Sequence, residues 1–274
     1  MILMKYKILV LDLDGTLTNK KKEITEHTRE TLIRAQEAGV KIVLASGRPT
    51  YGIMPLARQL ELDKYEGYIL AYNGGQIIDC KTGELMYENV LDPAVYPYLY
   101  ECAKSNGFQI LSYKDEYIIS ENADDQYVQH EAFLNRMPSK TVENFLDVIN
   151  FPVAKCLIVG DPEPLAQLEP VMKKELESKM NVFRSEPFFL ELVPKGIDKA
   201  RCLAVLLEEL GMTPDEMMAC GDGFNDLSMI EYAGLGVAMA NAQEVVRQAA
   251  NYITLSNEED GVAHAVEKFM LNAE

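Results

Sequence analysis

The sequence predicts an α/β fold: a doubly wound, mostly parallel sheet with an inserted α+β module. Three observations carry that prediction. Short apolar runs alternate with amphipathic stretches at both ends of the chain, the rhythm of βαβ units. Between about residues 84 and 192 the alternation breaks down into strands and helices in mixed order. Acidic turns at Asp12/Asp14 and at Asp222/Asp226 close strand-like runs on either side of that segment, as if both belonged to one sheet. The expected organisation is a split α/β domain, residues 1–83 with 193–274, interrupted by an α+β domain at 84–192.

The elements follow in order. Residues 6–11, Tyr6-Lys7-Ile8-Leu9-Val10-Leu11, form a short run of strand formers, and Gly15 lets the chain turn sharply after the two acids. Thr25 can cap a helix reaching Ala38, with Gly39 as its stop. A strand over 40–45 ends at Ser46-Gly47-Arg48, a helix covers 50–60, and a strand over 67–71 ends at Tyr72-Asn73-Gly74-Gly75. Polar groups thus recur at three strand ends, where an open α/β sheet binds its ligands.

Residues 84–90 read as a strand leading away from the sheet. Within the insert, helices are expected near 92–106, 123–135, 141–148 and 163–180, and strands near 108–112, 117–119, 155–159, 182–185 and 188–193. The βα rhythm then resumes. Asp198 caps an amphipathic helix to Leu210, a strand at 217–220 runs into Gly221-Asp222-Gly223-Phe224-Asn225-Asp226, and a helix continues to Tyr232. A strand at 235–238 and helices at 242–250 and 258–270 complete the chain.

Composition narrows the function. The 274 residues are 48% hydrophobic, enough for sizeable cores. A formal charge of −17, from 43 acids and 26 bases, argues against nucleic acid or an anionic membrane as partner. Five cysteines without a CxxC pair fit a reducing, cytoplasmic setting. Lys5, Lys7 and Asp12 interrupt the first apolar run, so no signal peptide is expected, and no apolar stretch approaches 18 residues.

If the strands before Asp12 and Asp222 are neighbours, four carboxylates converge on one crevice, which is costly unless a cation neutralises them. Hard oxygen ligands, with only His27, His130 and His264 in the chain, point to Mg²⁺ and not zinc. An EF-hand loop opening at Asp12 would need Gly at its sixth position, which is Leu17.

The segments Asp12-Leu13-Asp14-Gly15-Thr16-Leu17-Thr18, Ser46-Gly47-Arg48, Lys199 and Gly221-Asp222-Gly223-Phe224-Asn225-Asp226 resemble, in that order, the four motifs of the haloacid dehalogenase superfamily. The place of the insert, Asn73-Gly74-Gly75 and the tail Glu259-Asp260-Gly261-Val262-Ala263 resemble the Cof-type sugar-phosphate phosphatases. The resemblance covers the split domain from end to end, and the insert in position and length. It implies a Rossmann-like core with an α+β cap, and a Mg²⁺-dependent phosphohydrolase working through an aspartyl-phosphate. Asp12 is then the nucleophile and Asp14 the general acid and base. Mg²⁺ is held by the Asp12 carboxylate, the Asp14 backbone carbonyl and Asp222, with Asp226 behind them. Ser46 and Lys199 grip the phosphoryl group, Asn225 orders the site, and Gly47, Arg48 and Asn73 line it.

Some readings stay open at this level. Ser46 is alternatively a helix N-cap, and Arg48 faces either the substrate or a surface salt bridge. The family usually reads Lys-Gly where this chain reads Lys199-Ala200, and Lys195-Gly196 lies four residues earlier. Lys199 is preferred because it opens the amphipathic helix. The expected substrate is a small phosphorylated metabolite, a sugar phosphate or cofactor phosphate, and the protein is expected to be a monomer or weak homodimer. A sugar-phosphate mutase of the same superfamily and a non-catalytic phospho-receiver are the alternatives, although receivers are about half this length and carry no such insert.

Overall fold

The computed structural model describes residues 5–271. In chain order the strands are β1 (Ile8–Leu11), β2 (Lys41–Ala45), β3 (Tyr68–Ala71), β4 (Gln76–Asp79), β5 (Leu85–Glu88), β6 (Gln109–Lys114), β7 (Tyr117–Ser120), β8 (Ser139–Thr141), β9 (Cys156–Val159), β10 (Met180–Glu186), β11 (Phe189–Pro194), β12 (Met217–Gly221), β13 (Leu235–Ala238) and β14 (Tyr252–Ile253). The helices are α1 (Glu26–Glu37), α2 (Thr50–Gln59), α3 (Tyr96–Ser105), α4 (Gln126–Asn135), α5 (Phe145–Val148), α6 (Pro162–Leu176), α7 (Lys199–Glu209), α8 (Leu227–Tyr232), α9 (Glu244–Ala249) and α10 (Gly261–Val266).

The chain divides into two compact units, one built from the chain up to Tyr87 and from Asp198 onward, the other from Glu88 to Ile197. The first unit is organised on a sheet of order β14-β13-β12-β1-β2-β3-β4-β5. The strands from β14 to β3 pair in parallel, which requires cover on both faces and therefore continuous apolar strands. Strand β1, Ile-Leu-Val-Leu, is buried at every position and lies between β12 and β2. Helix α1 starts where the Thr25 hydroxyl accepts the Thr28 N–H at 3.1 Å. It buries Leu32 and Ala35 and is followed by Gly39 at φ +99°.

The second unit holds a sheet of order β10-β11-β9-β6-β7-β8, antiparallel except for β7 with β8, over its own apolar core around Tyr96, Phe145, Leu165 and Ile158. Mixed order in sequence thus corresponds to an α+β unit with its own core.

Three expectations need correction. Within 84–90 the strand itself, Leu85–Glu88, stays in the first sheet as its edge, and the chain passes into the second unit only from Glu88. The chain turns back after β3 so that β4 pairs antiparallel with it, and the Asp79 side chain then accepts the N–H groups of Lys81 (2.7 Å) and Thr82 (3.1 Å), closing a turn into β5 at the sheet edge. The stretch 141–148 is not one helix. Thr141 ends β8 beside β7, and only after the Asn144 cap, which accepts the Leu146 N–H at 2.8 Å, does the short α5 form. The last helix is broken at Asp260, which adopts φ +57° while its carboxylate accepts the Thr25 and Thr28 hydroxyls. Among the described residues no helix is long and apolar enough to cross a membrane.

Candidate active site

Strands β1 and β12 are parallel neighbours in register from Ile8↔Met217 to Leu11↔Cys220. Both therefore stop at the same level, and the Asp12 N–H donates to the Cys220 carbonyl at 3.1 Å. This register brings Asp12 and Asp222 together across about 210 residues of sequence. Lys199, the first residue of α7 and fully buried, reaches the same point. Its ammonium donates to Asp12 Oδ1 (2.9 Å), Asp226 Oδ1 (2.6 Å) and the Ala45 carbonyl (2.8 Å). The other candidate, Lys195, lies in the second unit, where its carbonyl accepts from Asn89.

Each acid is held differently. The second oxygen of Asp226 accepts the N–H groups of Asp222 (3.0 Å) and Gly223 (2.9 Å), so this carboxylate organises the turn as well as meeting Lys199. Asp222 accepts the Thr16 hydroxyl at 3.0 Å. One carboxylate oxygen from each of Asp12, Asp222 and Asp226 lies within 4.8 Å of the other two. The turn that permits this needs Gly15: its φ is +88°, and a Cβ there would lie 2.3 Å from Asp222 Oδ2.

Asp14 is outside this trio. Arg48 grips it with a fork, Nε to Oδ2 at 2.8 Å and Nη2 to Oδ1 at 2.6 Å, and Lys22 Nζ meets Oδ1 at 2.6 Å. Arg48 is thus neither a remote surface pair nor an unengaged substrate ligand. The Ser46 hydroxyl oxygen accepts the Arg48 N–H at 3.2 Å; the cap of α2 is Pro49, so Ser46 closes a turn and does not cap the helix. Tyr72 and Asn73 both adopt left-handed backbone, φ +54° and +56°, a strain that places the Asn73 side chain against Gly47, where a Cβ would lie 2.9 Å from its Nδ2. Asn225 Nδ2 donates to Asn73 Oδ1 at 3.1 Å.

Charges follow from this packing. Burial, reinforced by the Asp226 charge and opposed by Lys199, pushes the Asp12 carboxyl up to about 7. Burial likewise raises Asp222 to about 6, against the Thr16 hydrogen bond. Burial alone would lower Lys199, but Asp12 and Asp226 outweigh it and hold the ammonium charged. At Asp14 burial acts upward and is overcome by Arg48 and Lys22, which hold the carboxyl below its usual range. In ionised form, three carboxylates face one ammonium, leaving two negative charges in an all-oxygen cluster. That donor set fits one hard divalent cation.

Sequence reading missed three supporting residues. Thr16 stands two places after Asp14, and its proximity to that motif was a usable signal. Asn241, whose Nδ2 donates to the Gly15 carbonyl at 2.8 Å, and Lys22 carry no signal in a single sequence.

A buried carboxylate beside a charged lysine, in an acidic cluster close enough to share one cation, suits transfer of an anionic group. The comparisons agree. Residues 9–266 match a family described as haloacid dehalogenase-like hydrolase. A crystal structure of a haloacid dehalogenase-like hydrolase from Bacteroides thetaiotaomicron is 61% identical, with a TM-score of 0.94, covering 96% of this chain and 99% of that one. The crystal structure of TM0651 from Thermotoga maritima is 31% identical, with a TM-score of 0.87 and coverage of 96% and 97%. The Bacillus subtilis 5-amino-6-(5-phospho-D-ribitylamino)uracil phosphatase YcsE is 30% identical over 265 residues, 97% of this chain and 96% of its own. Over nearly its whole length the chain belongs to the haloacid dehalogenase-like hydrolases, and it is an enzyme of their phosphatase group.

Proposed function

We propose that this protein is a Mg²⁺-dependent phosphohydrolase that removes phosphate from a small phosphorylated metabolite, a sugar phosphate or cofactor phosphate, in the cytoplasm, through a phosphoryl group carried on Asp12. The observation that carries the reading is the trio of buried Asp12, half-buried Asp222 and buried Asp226, opposed among the described residues by the Lys199 ammonium. Asp12 and Asp222 would hold the ion, with the Asp14 backbone carbonyl, and Asp226 would support them through Lys199 and the 222–223 backbone. When bound, Mg²⁺ supplies positive charge at the phosphoryl oxygens and neutralises the acids around them.

The steps belong to the chain's own groups. An Asp12 carboxylate oxygen attacks phosphorus, the ester P–O bond breaks, and the departing oxygen takes a proton from Asp14, which must first bind that proton from solvent against the hold of Arg48 and Lys22. Asp14 then removes a proton from water, which attacks the phosphorus and releases phosphate and Asp12. The three donors of Lys199 are engaged by Asp12, Asp226 and Ala45. Lys199 therefore acts on the phosphoryl group as a buried charge that fixes the nucleophile, while the Ser46 hydroxyl donates a hydrogen bond to a phosphoryl oxygen. Asn73 and Asn225 order the rim, with Gly47 leaving them room, and the unit Glu88–Ile197 is assigned to substrate selection. A monomer or weak homodimer suffices for this chemistry.

The experiment is a Mg²⁺ titration of the chelator-treated protein, read by phosphate release and by melting temperature. Activity should vanish with the chelator and return with Mg²⁺, whereas Ca²⁺, with looser coordination, restores little. Full activity in chelator would end this reading. The melting curves carry a pH signature. Without the ion, the folded protein keeps protons on Asp12 and Asp222 up to about 7 and about 6, above the ordinary 3.8. The unfolded chain has already lost those protons, so these two groups subtract stability as pH rises through that window. Mg²⁺ binds the ionised form, and its stabilising effect should be larger at about pH 8 than at about pH 5.

The turn offers a second test. Gly15→Ala forces a left-handed alanine and drives its Cβ into Asp222. A stability loss of about 1–2 kcal/mol from the backbone alone is expected, with weaker Mg²⁺ affinity. Unchanged affinity would show that Asp222 is not held where the reading needs it.

A further inference from the structure

Lys22 approaches Asp14 from the turn that precedes α1. A lysine paired with a half-exposed carboxylate is usually a surface ion pair of little consequence. Three observations set this one apart. First, Asp14 Oδ1 is shared: Lys22 Nζ and Arg48 Nη2 both lie 2.6 Å from it. Second, the turn is built to deliver this lysine. Lys22 adopts φ +61° and donates its N–H to the Asn19 carbonyl at 2.8 Å, while the Asn19 side chain accepts the N–H groups of Lys21 (2.9 Å) and Glu23 (3.2 Å). Third, the base of the turn is pinned: Asn257 Nδ2 donates to the Thr18 carbonyl at 2.9 Å and the Lys20 N–H donates to Glu258 at 2.7 Å. Lys20 and Lys21 form no ion pair among the described residues, so one of three consecutive lysines is selected by backbone geometry.

We propose that Lys22 is a positioning residue for Asp14, closing with Arg48 a two-sided clamp that fixes the direction in which the Asp14 carboxyl faces the departing oxygen. The inference rests on the acid and base role given to Asp14 above. Arg48 holds both oxygens and sets the plane of the carboxyl; Lys22 holds one and prevents rotation within the fork. Lys22 acts through Asp14 and needs no contact with the phosphoryl group, so its loss should alter proton delivery while leaving substrate binding intact.

The test uses the full chain in Mg²⁺ with phosphate monoesters whose leaving groups run from 4-nitrophenol, which departs without a proton, to simple alcohols, which need one. Lys22→Met should lower kcat for alkyl esters by about tenfold, change the 4-nitrophenyl ester by less than about twofold, and leave KM and the melting temperature unchanged. Lys22→Arg should restore most of the loss. Asp14→Asn, run in parallel, should show the same dependence on leaving group at larger size. An equal loss on every ester, no loss, or a gain on the alkyl esters (the result if Lys22 only keeps Asp14 ionised), in Lys22→Met beside a leaving-group-dependent Asp14→Asn, would overturn the positioning role alone. A leaving-group-independent Asp14→Asn would remove the acid and base role itself, and the clamp's purpose with it.

Discussion

Asp12→Asn is expected to abolish phosphate release while the protein stays folded. The amide keeps the size of the carboxylate but cannot accept a phosphoryl group, and loss of a catalytic nucleophile typically costs on the order of 10⁴–10⁶ in rate. Folding should survive for an electrostatic reason. Asp12 is a buried acid raised to about 7 by burial and by Asp226, so an uncharged amide relieves repulsion in the ion-free protein. The variant should therefore melt no lower than the parent in chelator, yet gain less from added Mg²⁺. A folded Asp12→Asn protein that hydrolyses phosphate esters near the parent rate would remove Asp12 from the nucleophile's position.

Lys199→Met should cost both activity and stability. The ammonium is fully buried and makes three hydrogen bonds, two to carboxylates. Methionine fills the volume but leaves Asp12 and Asp226 buried without a counter-charge, and breaking a buried pair from one side typically costs about 3–5 kcal/mol. Mg²⁺ should recover part of the stability and little of the activity, because Asp12 is no longer aligned. Lys195→Met is the matched control and should be close to silent. Reversed effects would move the lysine motif one helical turn earlier. Denaturant unfolding with and without Mg²⁺, beside phosphate release, separates the two losses.

What the sequence made legible was whatever strand periodicity and acid placement carry together. Asp12 and Asp222 could be read as one site because each follows an apolar run that parallel pairing buries, and the observed β1–β12 register is the arrangement that pattern implies. Lys199 was legible through its resemblance to the family's lysine motif and its place at the start of the amphipathic helix that Asp198 caps. Strand β4 was hidden, since four residues returning antiparallel after the left-handed Tyr72 and Asn73 give no periodic signal of their own. The break at Asp260 was equally hidden, because it depends on hydroxyls from Thr25 and Thr28, more than 230 residues away. Arg48 showed its chemistry but not its partner: a guanidinium three residues past a strand end can turn outward, and only the fold shows it forked on Asp14. Lys22 was the least legible of all, because three consecutive lysines look alike until Asn19 folds the turn beneath them.

The central claim is that a phosphoryl group passes through Asp12. Rapid acid quenching of the Mg²⁺-loaded protein during turnover of a phosphate ester, followed by proteolysis and mass spectrometry, tests it most directly. The account predicts one added phosphoryl group on the peptide carrying Asp12, absent in Asp12→Asn and from protein quenched without substrate. Steady hydrolysis with no phosphoryl group on that peptide at any quench time, or with the group on another residue, would contradict it.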